Sequence, residues 1–240
     1  IKAFFFKTIE KILSFKTNIF ITINNDDFNY AKFNLPKKTA CYKINGVGLN
    51  LSEHHFKKKI KNKKELNKIL VIAAYKKEKG YLEILKTAEM LKNEKIQIEC
   101  YGYGDYNKFN SIKTRKKLNN ITFNNFDINL ANKIKHYDIL LHLSKREGLP
   151  VAVMQCLSEG LPVICHDIRG NNDLIIDKSN GYFVKSYKDT YNKILYLKLE
   201  ENFFNKMRLN AFKSINKSFL KKKINSDIYT IIKNYSKHHK

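Results

Sequence analysis

The stretch ILLHLSKREGLPVAVMQCLSEGLPVIC, residues 139–165, changes its hydrophobic pattern twice. Residues 139–143 are mostly apolar, which predicts a strand buried on both faces. Pro150 then marks the start of a helix predicted over 151–159, because the first turn of a helix tolerates a missing N–H. Residues 162–165 predict a second strand. Strand, helix and strand in this order form a βαβ unit, which indicates a parallel sheet.

The same alternation continues on both sides of this unit. Further strands are predicted at residues 19–23, 41–44, 69–74, 96–101, 121–123 and 182–184. Helices are predicted at residues 26–33, 81–91, 105–118 and 129–134, and from 187 onward the pattern is helical throughout. We therefore expect an α/β fold, a Rossmann-like parallel sheet with helices on both faces. In such sheets ligands bind at the carboxyl ends of the strands.

The composition excludes several classes of protein. The 240 residues include 46 Lys and Arg against 22 Asp and Glu, a formal net charge of +24. An apolar content of 43% is too high for a disordered basic tail. No apolar run approaches the roughly 20 residues of a membrane-spanning helix. The charge predicts attraction to anions, but the basic residues are mostly Lys, whereas nucleic-acid sites favour Arg. A generally Lys-rich composition is therefore favoured over a nucleic-acid-binding surface as the explanation of the net charge.

Four cysteines lie far apart, without metal-ligand spacing: Cys41, Cys100, Cys156 and Cys165. Three of them stand in apolar runs, which predicts buried free thiols in a reducing compartment. Residues 1–23 are interrupted by charges and lack the cleavage site of a secretory signal. A cytoplasmic location is expected. Because the chain opens on Ile rather than Met, we also expect it to be a piece of a longer protein.

Several loops at predicted strand ends carry residues suited to a ligand. The loop after Leu143 places Glu147 and Gly148 before a helix whose free N–H groups attract anions. Lys79 and Gly80 follow the strand at 69–74. The remaining candidates are Gly102, Gly104, Arg169 and Gly170, which follow other strands. Each loop alone fits an ordinary turn, but all of them fall on one edge of the predicted sheet. His142 is a tempting base, although its place in a buried strand favours a core histidine.

Residues 144–175 carry a resemblance to a known family. From about Lys68 to Val184 the chain resembles the nucleotide-sugar-binding domain of retaining glycosyltransferases of the GT-B fold, family 4, of the bacterial capsule, exopolysaccharide and O-antigen type. The resemblance implies that Glu147 is catalytic and lies against the donor sugar. It also implies that the donor is bound without a metal ion or other cofactor.

The same resemblance assigns the donor-binding residues, and it names UDP as the default nucleotide. They are Lys79, Gly80, Gly102, Gly104, Arg146, Gly148, Leu149, Val151, Gln155, Arg169 and Gly170. The family has a second Glu where this chain has Gln155, which would meet the ribose hydroxyls as a neutral amide. It also has an Arg where this chain has Ala74, and Lys76 or Lys77 is the nearest substitute, with poorer geometry. Residues 123–126 would line the base pocket by analogy.

The resemblance also implies a domain organisation. Residues 1–56 are predicted to be a remnant of an acceptor-binding domain that is otherwise missing, 57–68 a Lys-rich linker, 69–184 the donor-binding domain, and 185–240 C-terminal helices. The implied partners are a nucleotide-sugar and a glycan or polyprenyl-linked acceptor, with peripheral contact to an anionic membrane and no nucleic acid.

Two alternatives stay open at this point. The first is a truncated, catalytically inactive remnant that still binds a nucleotide-sugar, which Ala74, Gln155 and the missing domain favour. The second is a basic nucleic-acid-binding protein, which would show steep salt dependence but leaves the aligned strand-end loops unexplained.

Overall fold

The computed structural model describes residues 2–57, 59–63 and 65–238, and the chain divides into two compact units. One unit comprises residues 1–51 and 217–240, and the other comprises residues 52–216. Five positions of the predicted remnant, linker and C-terminal helices lie outside the described residues: 1, 58, 64, 239 and 240.

Strands and helices alternate along most of the chain. The strands are β1 (Ile19–Thr22), β2 (Ala40–Lys43), β3 (Lys68–Ile72), β4 (Gln97–Gly102), β5 (Ile121–Asn125), β6 (Ile139–His142), β7 (Val163–Cys165) and β8 (Gly181–Phe183). The helices are α1 (Lys2–Ser14), α2 (Asn25–Asn34), α3 (Tyr81–Met90), α4 (Asn107–Arg115), α5 (Leu130–Lys133), α6 (Val151–Ser158), α7 (Tyr187–Leu199), α8 (Glu201–Ser214) and α9 (Lys221–His238). Short 3-10 helices span Glu53–Lys57, Lys77–Lys79, Ile134–His136 and Lys217–Phe219.

The smaller unit contains a parallel pair of strands. Strands β1 and β2 pair in register from Ile19 with Ala40, and α2 connects them. The side chain of Asn24 accepts a hydrogen bond from the N–H of Asp27 and so caps α2. Helix α9 belongs to the same unit, where Leu49 forms a parallel bridge with Leu220 just before that helix.

The larger unit is built on a fully parallel sheet with the strand order β5-β4-β3-β6-β7-β8. The predicted α/β fold is confirmed, and the predicted strands are observed within two residues of their expected bounds. Ile69, Leu70 and Val71 of β3 are buried, as expected for a strand covered on both faces. The chain leaves β3 toward β4 on one side and later returns to β6 on the other. The order therefore reverses between β3 and β6, and such a switch point opens a crevice at the carboxyl ends of the strands.

The thiols behave largely as predicted. All four cysteines are free, with Cys100, Cys156 and Cys165 buried and Cys41 half-buried. Burial raises the pKa of the three buried thiols, which keeps them protonated.

Across the described part of the chain, no helix combines the length and the apolar character that crossing a membrane requires.

Candidate functional site

The loops that follow β3 and β6 meet at the switch point of the sheet. The backbone N–H of Lys145 donates to the carbonyl of Glu78 at 2.8 Å. Gly80 adopts a left-handed conformation, with φ of 79°, and a Cβ atom there would lie 2.1 Å from the carbonyl oxygen of Leu143. Only glycine allows both the conformation and the approach. The two loops therefore pack against each other at the carboxyl ends of β3 and β6.

An ion pair joins these loops. Lys79 Nζ lies 2.7 Å from Glu147 Oε1, and their side chains are 23% and 13% exposed. His142 Nε2 lies 3.2 Å from the same oxygen, at the end of β6. His142 is only 4% exposed, and neither of its ring nitrogens makes a regular hydrogen bond with another described residue. The predicted core position is therefore confirmed, but the ring is not satisfied by regular hydrogen bonds, and its Nε2 lies beside the carboxylate of the loop that follows β6.

The surroundings of Glu147 fix its charge. Burial alone raises the pKa of this carboxyl, but the hydrogen bond from Lys79 and the nearby polar groups of His142 and Ser144 outweigh it and lower the pKa to about 2. Glu147 is therefore a carboxylate at neutral pH, an acceptor of hydrogen bonds rather than a proton donor. A carboxylate can accept hydrogen bonds from hydroxyl groups, but it has no proton to donate, so general-acid chemistry by this side chain is unfavourable.

The start of α6 lies directly after Glu147. Pro150 is the N-cap residue, one position before the predicted first turn, and no side chain caps the helix. Val151, the first helical residue, is 37% exposed. Uncapped N–H groups at a helix N-terminus favour an anion, so this end of α6 can receive negative charge beside the Lys79–Glu147 pair.

The loop after β7 contacts the loop that follows β6. Arg169 Nε donates to the carbonyl oxygen of Glu147 at 3.1 Å, while its side chain stays exposed. A Cβ atom on Gly170 would lie 2.1 Å from the carbonyl oxygen of Gly148. These predicted site residues are thus brought together with Glu147, and the glycines serve the packing of one loop against the next.

The other predicted donor-binding residues differ in their exposure and in their position relative to the Lys79–Glu147 pair. Leu149 is buried, Arg146 is exposed, and Gln155 is half-buried one turn into α6, where its side chain makes no hydrogen bond within the described chain. Gly102 and Gly104 lie at the end of β4, on the far side of β3 from Glu147.

Two exposed aromatic rings stand at the ends of β4 and β5. Tyr103 and Phe126 stack with centroids 4.1 Å apart and planes 15° apart, and they are 63% and 47% exposed. Phe123, expected to line a base pocket, is instead buried against Tyr81 and Phe109 in the core. Within residues 123–126, Phe126 is the aromatic ring that faces outward.

Among the described residues, no group of three or more His, Cys, Asp and Glu side chains is arranged to hold a metal ion. The absence of a metal requirement stays a prediction.

Comparison with known proteins gives the family. Residues 52–214 match the family described as Glycosyl transferases group 1, and the chain belongs to that family. It is 26% identical over 190 residues to the putative glycosyltransferase EpsD of Bacillus subtilis, covering 74% of this chain and 50% of EpsD. It is 30% identical over 80 residues to the UDP-Gal:alpha-D-GlcNAc-diphosphoundecaprenol alpha-1,3-galactosyltransferase of Escherichia coli, covering 33% of this chain and 20% of that protein.

The fold has solved relatives as well. The pneumococcal O-GlcNAc transferase GtfA, crystallised with UDP and GlcNAc, superposes with a TM-score of 0.77 at 18% identity, over 95% of this chain and 47% of GtfA. The chain thus spans about half the length of EpsD and of GtfA.

Proposed function

We propose that this chain binds the donor of a glycosyltransferase that moves a sugar, with retention, from a UDP-linked donor to a glycan or polyprenyl-linked acceptor. The observation that carries the proposal is the Lys79–Glu147 pair, 2.7 Å apart at the switch point of a sheet whose residues match the family. A carboxylate for sugar hydroxyls then lies beside a cation and a free helix N-terminus for a diphosphate.

Each group has a separate role in this proposal. Lys79 and the N–H groups at the start of α6 offset the charge of the diphosphate, so its departure is stabilised electrostatically and needs neither a metal ion nor a protein nucleophile. Glu147 accepts hydrogen bonds from the donor sugar, and Gln155 meets the ribose. Arg146, Arg169 and the nearby glycines complete the donor site. The names of the relatives support the donor and acceptor classes: GtfA was crystallised with UDP and GlcNAc, and the Escherichia coli enzyme is named for a diphosphoundecaprenol acceptor.

The proposal extends to location and to a second domain. The acceptor would be bound by a further domain, and the chain would act in the cytoplasm, with peripheral contact to an anionic membrane surface. Retention is tested by the anomeric configuration of the product of the complete enzyme, followed by NMR during the first turnover.

A catalytically inactive donor-binding protein is the second candidate, and Gln155 and Ala74 favour it. Lys76 and Lys77, the nearest substitutes for the family's Arg, are exposed beside Ala74. Binding of a nucleotide-sugar without hydrolysis or transfer supports this candidate. Measurable turnover of a labelled nucleotide-sugar by the 240-residue chain would exclude it.

Lys79→Met tests the diphosphate site. The substitution keeps an unbranched side chain only one atom shorter but removes its charge, and we expect UDP and UDP-sugars alike to bind about 10- to 100-fold more weakly, as for the loss of one charge-assisted hydrogen bond. Isothermal titration calorimetry measures both affinities. Lys92→Met, at an exposed position after α3, is the matched control and should change neither. Unchanged affinity in Lys79→Met would remove the basis of the proposed function.

Gln155→Glu tests the ribose contact. A carboxylate there should form charge-assisted hydrogen bonds with the ribose hydroxyls and tighten UDP binding by about 1–2 kcal/mol, or roughly 5- to 30-fold. The same titration with 2′,3′-dideoxy-UDP provides the control, because that nucleotide has no ribose hydroxyls to donate. An equal gain for both nucleotides, or no gain for UDP, would show that residue 155 does not meet the ribose.

A further inference from the structure

A cavity with a mostly basic lining lies at the opposite end of the same sheet, where the strands begin. It has a volume of about 530 Å³, and its lining includes Lys59, Lys61, Lys63, Lys135, Arg208 and Glu159. The segments that line it precede β3 and β6, whereas the candidate donor site follows these strands. The two sites are therefore separated by the length of the strands.

Hydrogen bonds and an ion pair hold one wall of the cavity in place. Lys63 Nζ pairs with Asp138 and donates to the carbonyl of Tyr137 at 2.6 Å. The backbone N–H of Lys63 donates to Asn205 Oδ1 at 2.8 Å, and Asn205 Nδ2 donates to the carbonyl of Lys63 at 2.9 Å. Arg208 Nη1 donates to the carbonyl of Lys61 at 2.5 Å. The wall formed by residues 59–63 is thus fastened to α8 and to the start of β6.

Arg208 is the observation that points to a ligand. Its side chain is 5% exposed, yet its Nε–H has no hydrogen-bond partner among the described residues. A buried guanidinium with an unused donor is costly unless an anion meets it. Nor does the Lys-rich composition account for it, because the chain has only four arginines: Arg115, Arg146, Arg169 and Arg208.

Positive charges outnumber negative ones in the lining, and Asp138, a carboxylate that interacts electrostatically with Arg208, is already paired with Lys63. No carboxylate of the described chain lies within ion-pair distance of Lys59, Lys61, Lys135 or Arg208. Glu159 is the carboxylate of the lining, and its Oε1 lies 3.8 Å from His55 Nδ1. An arginine fork flanked by lysines suits the oxygens of a phosphate or diphosphate. We propose that this cavity is a second anion site, which binds a phosphate or diphosphate group carried by a soluble compound or a lipid headgroup.

The test follows the arginine Nε–H signals of the ¹⁵N-labelled chain by NMR during titration with inorganic pyrophosphate at constant ionic strength. The signal of Arg208 is assigned by elimination with Arg115→Lys, Arg146→Lys and Arg169→Lys, so that Arg208 itself stays intact. We expect it to shift and saturate. In Lys59→Gln/Lys135→Gln its apparent affinity should fall about tenfold, while Lys92→Gln should leave it unchanged.

Vesicle sedimentation then distinguishes the two sources of phosphate. If binding to phosphatidylglycerol vesicles falls in the same double variant, the ligand is a lipid headgroup; if it does not, the ligand is a soluble phosphate compound. The proposal is overturned if pyrophosphate moves only the signals of Arg146 and Arg169, at the donor edge, or if the double variant titrates like the unsubstituted chain.

Discussion

Glu147→Gln is expected to bind a UDP-sugar about 10- to 30-fold more weakly while binding UDP at least as tightly as the unsubstituted chain. The amide accepts weaker hydrogen bonds from sugar hydroxyls than the carboxylate does. At the same time the substitution releases Lys79, whose Nζ lies 2.7 Å from the carboxylate, to interact with the diphosphate. Calorimetric titration with both ligands measures the two effects. A parallel loss for UDP and UDP-sugar would show that Glu147 does not face the sugar.

The same variant should lose part of the acid sensitivity of folding. The pKa of Glu147 falls from an ordinary 4.5 to about 2 in the folded chain. A depressed pKa stabilises the fold above the unfolded value, and this contribution is lost as the pH falls from about 5 toward 2. It amounts to roughly 2–3 kcal/mol at neutral pH. Urea unfolding between pH 7 and pH 3 should therefore show a shallower pH dependence in Glu147→Gln, and identical profiles would contradict the electrostatic account of this site.

Gly80→Ala is expected to lower the free energy of unfolding by about 2–4 kcal/mol, through overpacking and backbone strain together. The new Cβ would lie 2.1 Å from the carbonyl oxygen of Leu143, so the loops after β3 and β6 must separate. Because Lys79 is the preceding residue, the separation also moves its amine away from Glu147, and UDP binding should fall with stability. Urea unfolding and calorimetric titration measure the two losses.

Gly104→Ala is the matched control for the measurement of stability. Gly104 also has a positive φ, 101°, but a Cβ there would find its nearest neighbour 3.8 Å away, at Tyr75. Only the backbone cost, about 1 kcal/mol, should then appear. If both variants lose the same stability, the close approach of Gly80 to Leu143 is not what holds the loops together.

Most of the sheet was predictable because its signals are local. Apolar runs such as 69–74 and 139–143 report burial on both faces, and Asn24 and Pro150 mark helix starts by well-understood chemistry. Helix α1 was not predicted. The charged residues within 2–14 interrupt its apolar run, which excludes a secretory signal, but its apolar residues also fit helical spacing.

The sequence places the candidate site residues at the carboxyl ends of neighbouring strands, but it does not give the contacts between them. Parallel topology places Lys79 and Glu147 on one edge, yet sequence cannot show that they pair or that the neighbouring glycines pack loop against loop. The sequence favours a core role for His142, because a strand buried on both faces gives no sign of which of its side chains contacts the next loop. The available signal was its position as the last residue of β6, where ligand loops begin. Tyr103 and Phe126 come from different strand ends, so their stacking required the strand order.

The ion pair at the switch point has a consequence for the end of the proposed reaction. In the proposed function, Glu147 accepts hydrogen bonds from sugar hydroxyls and Lys79 binds phosphate oxygens while the donor is bound. Once the sugar has left, the carboxylate would compete with UDP for the ammonium group 2.7 Å away. Re-formation of the Lys79–Glu147 pair would then speed the release of UDP. The ion pair of the empty site would thus prepare the site to bind the next donor.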